Sequence, residues 1–212
     1  MNRKMVFSLV IAISVIALGA CTTATPLASN NTSPTISTNN NTTSTSSTLA
    51  CSNGSTSANL TPELTEGPYF KANSPERTSL LTDGMTGTQL VITGYVYDTN
   101  CQPVANALLD FWQADANGVY DNSGYTLRGR QFTDANGAYT LTTVVPGLYP
   151  GRTEHIHFKV QAPNGKILTS QLFFPGVVQN DSDGIFNESL LLPIQKTSTE
   201  WEAQFNFVVS AK

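Results

Sequence analysis

From Met5 to Pro62 the chain carries no charged side chain, and that gap decides which part of it can fold. The gap has two halves. Met5 to Ala20 is apolar, whereas Thr22 to about Leu60 is Thr, Ser and Asn, with runs such as Asn39-Asn40-Asn41 and Thr42 to Thr48. The second half buries too little apolar surface to offset the entropy of ordering it, so residues 21–60 are expected to form a disordered tether. What remains, residues 61–212, has the usual size of one domain.

Arg3 and Lys4 make a basic start, an apolar run follows, and Leu18-Gly19-Ala20-Cys21 closes it. The run falls short of the roughly 20 residues of a membrane span, so residues 1–20 read as a removable leader rather than an anchor helix. Leu-x-small-Cys resembles the lipobox of bacterial lipoproteins, which implies that Cys21 is lipidated and becomes the new N-terminus. Thr22 in place of Asp favours, by the same resemblance, the outer membrane where the cell has one. An exported chain meets conditions in which disulfides persist. Cys51 and Cys101, both in polar, turn-like contexts, are therefore a candidate bridge, with two free thiols as the alternative. A formal net charge of -4 argues against nucleic acid as a partner.

Within residues 61–212, short apolar or alternating runs are separated by turn residues: Gln89–Tyr97, Ala107–Trp112, Ala138–Val145, His155–Gln161, Ile167–Phe174 and Phe205–Val209. Many short strands punctuated by Gly and Pro predict an all-β fold, a β-sandwich. Brief helical turns are expected only near Pro62-Glu63-Leu64 and over Ser198–Ala203. The tetrapeptide Asp-Ala-Asn-Gly occurs at 115–118 and again at 134–137, each time with a Tyr two residues on, which marks two similar hairpin turns.

Two histidines, His155 and His157, are the only ones in the chain. In a strand, residues two apart face the same way, so both imidazoles share one side and Ile156 takes the other. Alone, the pattern also fits an ordinary solvent-facing pair. Just before it, however, Pro146-Gly147-Leu148-Tyr149-Pro150-Gly151-Arg152 is a stiff turn that delivers a Tyr and an Arg beside the pair.

These segments together carry a more specific likeness. Trp112-Gln113-Ala114-Asp115-Ala116-Asn117-Gly118-Val119-Tyr120, Thr133-Asp134 through Tyr139, Pro146 through Phe158 and Ser170-Gln171-Leu172-Phe173-Phe174 resemble the core of the intradiol ring-cleavage dioxygenases. Thr65-Glu66-Gly67-Pro68-Tyr69-Phe70 is similar to the Gly-Pro-aromatic segment that opens their domain. The resemblance implies a β-sandwich with one mononuclear non-haem Fe(III) held by Tyr120, Tyr149, His155 and His157. It implies a catechol-type substrate and O₂, cleavage between the hydroxyl-bearing carbons, and a muconate-type product. Tyr149 is then the axial ligand that leaves the iron and accepts a substrate proton, with His157 opposite it. Arg152 stabilises negative charge on the substrate, and Gln171 lies near it. The short loop between Tyr120 and Thr133 departs from the family and leaves substrate preference open.

The residue types suit such chemistry in their own right. A phenol with pKa near 10 costs about 4 kcal/mol to hold ionised at pH 7, and a bound trivalent cation supplies that. Two phenolates favour Fe(III) over Fe(II), and a zinc site on the His pair is disfavoured because zinc prefers Cys, His or carboxylate. The competing reading is a catalytically inactive, surface-exposed β-sandwich binding module. Of the other tyrosines, Tyr95, Tyr97, Tyr125 and Tyr139 are expected in packing roles, and Tyr69 is open between packing and the pocket. Trp112 is expected in the core, and Arg128 and Arg130 either line the pocket mouth or are solvated.

Overall fold

The computed structural model describes Cys51 and residues 57–211. The expected leader, the lipidated Cys21 and most of the tether lie outside these residues. Among the described residues nine strands build two sheets. In chain order they are β1 (Gln89–Asp98), β2 (Leu108–Trp112), β3 (Arg128–Phe132), β4 (Ala138–Val144), β5 (His155–Gln161), β6 (Leu168–Phe173), β7 (Gln195–Lys196), β8 (Trp201–Gln204) and β9 (Phe207–Val209). One sheet runs β3-β2-β5-β6, antiparallel throughout. The other runs β4-β1-β8-β7, with β9 also on β1. There β4 is antiparallel to β1, whereas β8 and β9 run parallel to its successive halves.

The alternation of β5 sets the plan of the molecule. Ile156, Phe158 and Val160 are fully buried in the core between the sheets, with Leu90 and Ile92 of β1, Leu109 and Phe111 of β2 and Leu141 of β4. Burying a side chain of this size contributes about 1.5–3 kcal/mol. His155 and His157, at the intervening positions, face the other side and are also buried. A second, smaller aromatic cluster covers them there: Trp112, Ala114 and Tyr120, with Tyr69, Phe70 and Tyr149 packed against it.

The sandwich expectation holds, and the histidine, β1 and β2 strands fall within a residue or so of the sequence reading. Both helical turns are corrected. Pro62–Leu64 forms no helical turn, and Trp201–Gln204 is the strand β8, because the edge of β1 from Leu90 to Thr93 offers it a ladder. Among the described residues the helical turns are short 3-10 turns at Val178–Asp181 and Glu188–Leu190. The fold also reaches back into the expected tether. The Ala58 amide donates to the Thr99 carbonyl at 3.0 Å, and Cys51 is disulfide-bonded to Cys101 with Cα atoms 5.2 Å apart.

Candidate metal centre

The first Asp-Ala-Asn-Gly turn is closed by its own aspartate: Asp115 Oδ1 accepts the Asn117 and Val119 amides at 2.8 and 2.9 Å. Gly118 has φ +79°, and a Cβ there would sit 1.9 Å from the Leu148 carbonyl oxygen. Only glycine lets the turn carrying Tyr120 press this closely on the loop carrying Tyr149. The Gly147 amide, donating to the Asp115 carbonyl at 2.8 Å, ties the two together. The second turn repeats the chemistry, with Asp134 Oδ1 accepting the Asn136 and Ala138 amides. Its tyrosine has a different fate. Tyr139 lies in the main core and donates to the Phe205 carbonyl at 2.8 Å.

Three of the four expected ligands meet directly. The Nε2 atoms of His155 and His157 are 3.1 Å apart, and the Tyr120 hydroxyl is 3.3 Å from His155 Nε2. Tyr149 stands edge-on to Tyr120, ring centroids 6.0 Å apart. His155 Nδ1 lies 2.6 Å from the Thr153 carbonyl, a contact that places the proton on Nδ1 and leaves Nε2 with a free lone pair. His157 is held without such a bond. Its ring stacks on Trp112, its partner across the β2–β5 ladder, at 4.9 Å and 5°. On another side sits Gly67, whose added Cβ would come within 3.1 Å of His157 Cε1.

This arrangement fits a cation. His157 Nδ1 is buried with no hydrogen-bond partner, and its Nε2 faces another imidazole nitrogen. Either tautomer leaves one buried ring nitrogen uncompensated. Burial pushes the His155 pKa down to about 4 and that of His157 well below its ordinary value, so both stay neutral and able to ligate. Burial pushes the Tyr120 phenol well above its usual pKa, and Arg152 and Arg128 offset this only in part. Ionising it needs a positive charge between the four side chains. Among the described residues no group of three or more His, Cys, Asp or Glu is placed to hold a metal ion, and the side-chain oxygen beside the histidine pair is the Tyr120 phenol.

A cleft of about 440 Å³ opens beside these residues, walled by Leu148 to Arg152 on one side and by Gln179, Ser182 and Asp183 on the other. Arg152 is clamped there. Its Nε donates to Asp183 Oδ2 at 2.9 Å and its Nη2 to Gln171 Oε1 at 2.6 Å, while Gln171 Nε2 donates to the Thr65 carbonyl at 3.0 Å. Asp183 also accepts the Thr153 and Ile185 amides at 2.8 and 2.9 Å. Burial pushes the Asp183 carboxyl up, but these amides and Arg152 outweigh it and hold the group below its ordinary pKa.

Several other readings are resolved. Arg128 is neither solvated nor at a pocket mouth, since it is buried and donates to the Tyr69 and Asp121 carbonyls. Arg130 donates to the Ser74 carbonyl. Tyr69 borders the site, stacked on Tyr120 at 4.3 Å with its hydroxyl 3.4 Å from that of Tyr149. Asp183 was not anticipated, nor was the contact of Trp112 with His157.

A family model described as Dioxygenase matches residues 65–190, more than half of the chain. The chain belongs to the intradiol dioxygenase family. The chain is 49% identical to the dioxygenase domain of a dioxygenase carbohydrate-binding protein fusion from the cellulolytic bacterium Streptomyces sp. SirexAA-E. That match has a TM-score of 0.71 and covers 73% of this chain and 100% of that one. An intradiol ring-cleavage dioxygenase from Tetranychus urticae is 28% identical with a TM-score of 0.66, covering 72% of this chain and 95% of its own. Hydroxyquinol 1,2-dioxygenase of Rhizobium sp. (strain MTP-10005) is 30% identical over 167 residues, 65% of this chain and 56% of the relative. The chain spans about half the length of the curated relatives it matches.

Proposed function

We propose that this protein is a non-haem Fe(III) dioxygenase that opens a catechol ring between its two hydroxyl-bearing carbons with O₂, yielding a muconate-type diacid. The observation that carries this reading is the opposition of the His155 and His157 Nε2 atoms at 3.1 Å, with the Tyr120 hydroxyl 3.3 Å from the first. A ferric ion held by Tyr120, Tyr149, His155 and His157 supplies the Lewis acidity that favours the phenolate forms of the tyrosines and of the catechol. The protein's residues do the rest. Tyr149, the ligand tyrosine that also lines the cleft, takes a proton from the incoming catechol. Arg152, fixed at two of its nitrogens, stabilises negative charge as it develops on the ring. Gln171 holds the guanidinium in place, and Trp112 with the Gly67 segment keeps water from His157.

The test is iron content together with oxygen uptake on a panel of catechols, using the iron-loaded protein. One iron per chain, stoichiometric O₂ consumption and a ring-opened diacid are expected. Iron and catechol binding with no oxygen uptake on any member would leave the inactive binding module instead.

We propose further that Cys21 is lipidated and that the Thr/Ser/Asn-rich segment tethers the domain to the cell envelope, at the outer membrane where one is present. The support is Leu18-Gly19-Ala20-Cys21 after a basic, apolar start. Cys21→Ser should release the protein from membranes or leave it unprocessed. Normal membrane fractionation of a correctly cleaved variant would sink the idea.

A further inference from the structure

We propose that Asp183 sets the substrate class of the site: by pairing with Arg152 on the cleft wall and placing a carboxylate beside it, it restricts the catechols accepted to those whose ring substituent is uncharged. The inference rests on the ring-cleavage reading above and concerns which catechol that reaction takes.

Arg152 is the one cation in the cleft lining and Asp183 the one carboxylate. They are joined Nε to Oδ2 at 2.9 Å, with side chains 15% and 2% exposed, so water and salt screen the pair weakly. A second nitrogen of Arg152 is taken by Gln171. Arg77, Arg128 and Arg130 lie outside the cleft lining and donate to main-chain carbonyls. The cleft lining therefore offers a ring substituent no unpaired cation.

A carboxylate brought out of water needs a cation to receive it. Here any carboxylate that reaches Arg152 also meets the charge of Asp183. The penalty falls on a charged ring substituent alone, which is how a site discriminates by repulsion rather than by added contacts. A hydroxyl, alkyl or amide group incurs no such cost. The cleft, at about 440 Å³, has room for a substituent beyond one ring.

Asp183 also anchors the Thr153 and Ile185 amides, so a test must separate its charge from its role in the loop. The probes are 3,4-dihydroxybenzoate and 3,4-dihydroxybenzamide, nearly equal in size and different in charge. They are titrated calorimetrically, without oxygen, into the iron-loaded full chain. The native protein should bind the amide at least about tenfold more tightly, because a carboxylate leaving water finds no unpaired cation to receive it. Asp183→Asn keeps an acceptor oxygen and removes the charge, and it should narrow that ratio severalfold. Ser182→Arg adds a cation to the same wall without touching the clamp, and it should narrow the ratio even if Asp183→Asn misfolds. Equal binding of the two probes by the native protein overturns the proposal, as does an unchanged ratio in the folded variants. Catechol turnover by the same sample separates the two levels of the argument. If catechol is cleaved and the benzoate is preferred, only the role of Asp183 falls; if iron is retained and no catechol binds or reacts, the ring-cleavage reading falls with it.

Discussion

Tyr120 and Tyr139 follow two copies of one four-residue turn, yet their hydroxyls end in different layers: Tyr120 lies 3.3 Å from His155 Nε2, and Tyr139 donates to the Phe205 carbonyl in the core. The pair is an internal control for the metal assignment. On the proposed ligand set Tyr120→Phe removes a phenolate, so the tint of the iron-loaded protein and its turnover should both fall sharply. Tyr139→Phe strands a buried carbonyl and should cost about 1–3 kcal/mol of stability, while iron content and activity stay near native. Metal analysis, absorbance and thermal melts read all of this. Loss of iron in Tyr139→Phe but not in Tyr120→Phe would falsify the assignment.

Gly67 has φ +72°, and its added Cβ would lie 3.1 Å from His157 Cε1. Gly67→Ala should therefore combine about 1 kcal/mol of backbone strain with a push on a metal ligand, lowering the melting temperature and weakening iron retention. Gly84, with φ +73° and nothing within 4 Å of an added Cβ, shares only the strain. Gly84→Ala should lose similar stability and keep its iron. Equal iron loss in both would show that the contact with His157 is irrelevant.

Arg152→Lys keeps the charge and loses the fork that reaches Asp183 and Gln171 together. A drop in kcat of roughly 10²-fold at unchanged iron content is expected, the scale of removing one preorganised stabilising donor. A kcat within twofold of native would remove Arg152 from the chemistry.

The Cys51–Cys101 bridge spans a sequence separation of 50 residues. On the chain-entropy account, closing such a loop stabilises by about 4 kcal/mol. Melts with and without reductant should differ by many degrees, and Cys101→Ser should match the reduced protein. Identical melting of oxidised and reduced protein would show that the bridge contributes nothing to stability.

Parts of the site that depend on local geometry were legible in the sequence. His155 and His157 share a face because a strand alternates, and the Asp115 turn closes through its own side chain, which any Asp-x-Asn-Gly can do. What depends on distant partners was not. Arg128–Phe132 hides as a strand because its two arginines break the apolar pattern, and Arg128 is tolerated inside only because the Tyr69 and Asp121 carbonyls receive it. Trp201–Gln204 has no strand signature beyond the ladder that β1 offers it. Asp183 sits among Asn, Asp, Ser and Gly that read as a solvated turn, and its partners Arg152 and Thr153 lie thirty residues away in sequence. Tyr139 shows the converse, since identical local chemistry leads to a different destination once the sheet is assembled.

The parallel pairing of β1 with β8 and β9 has a kinetic consequence. Leu90 meets Trp201 and Val96 meets Phe207, so one edge of β1 waits for a segment more than a hundred residues away. Every strand of β3-β2-β5-β6 has been supplied by Phe173. Closing long loops is slow, so the sheet that carries the histidines should gain protection first and the sheet around β1 should finish last. In pulse-labelled hydrogen exchange, earlier protection of Leu90–Thr93 than of His155–Val160 would reverse this order. A chain stalled before β8 would then hold a nearly complete pair of histidines on a sandwich with one layer still open.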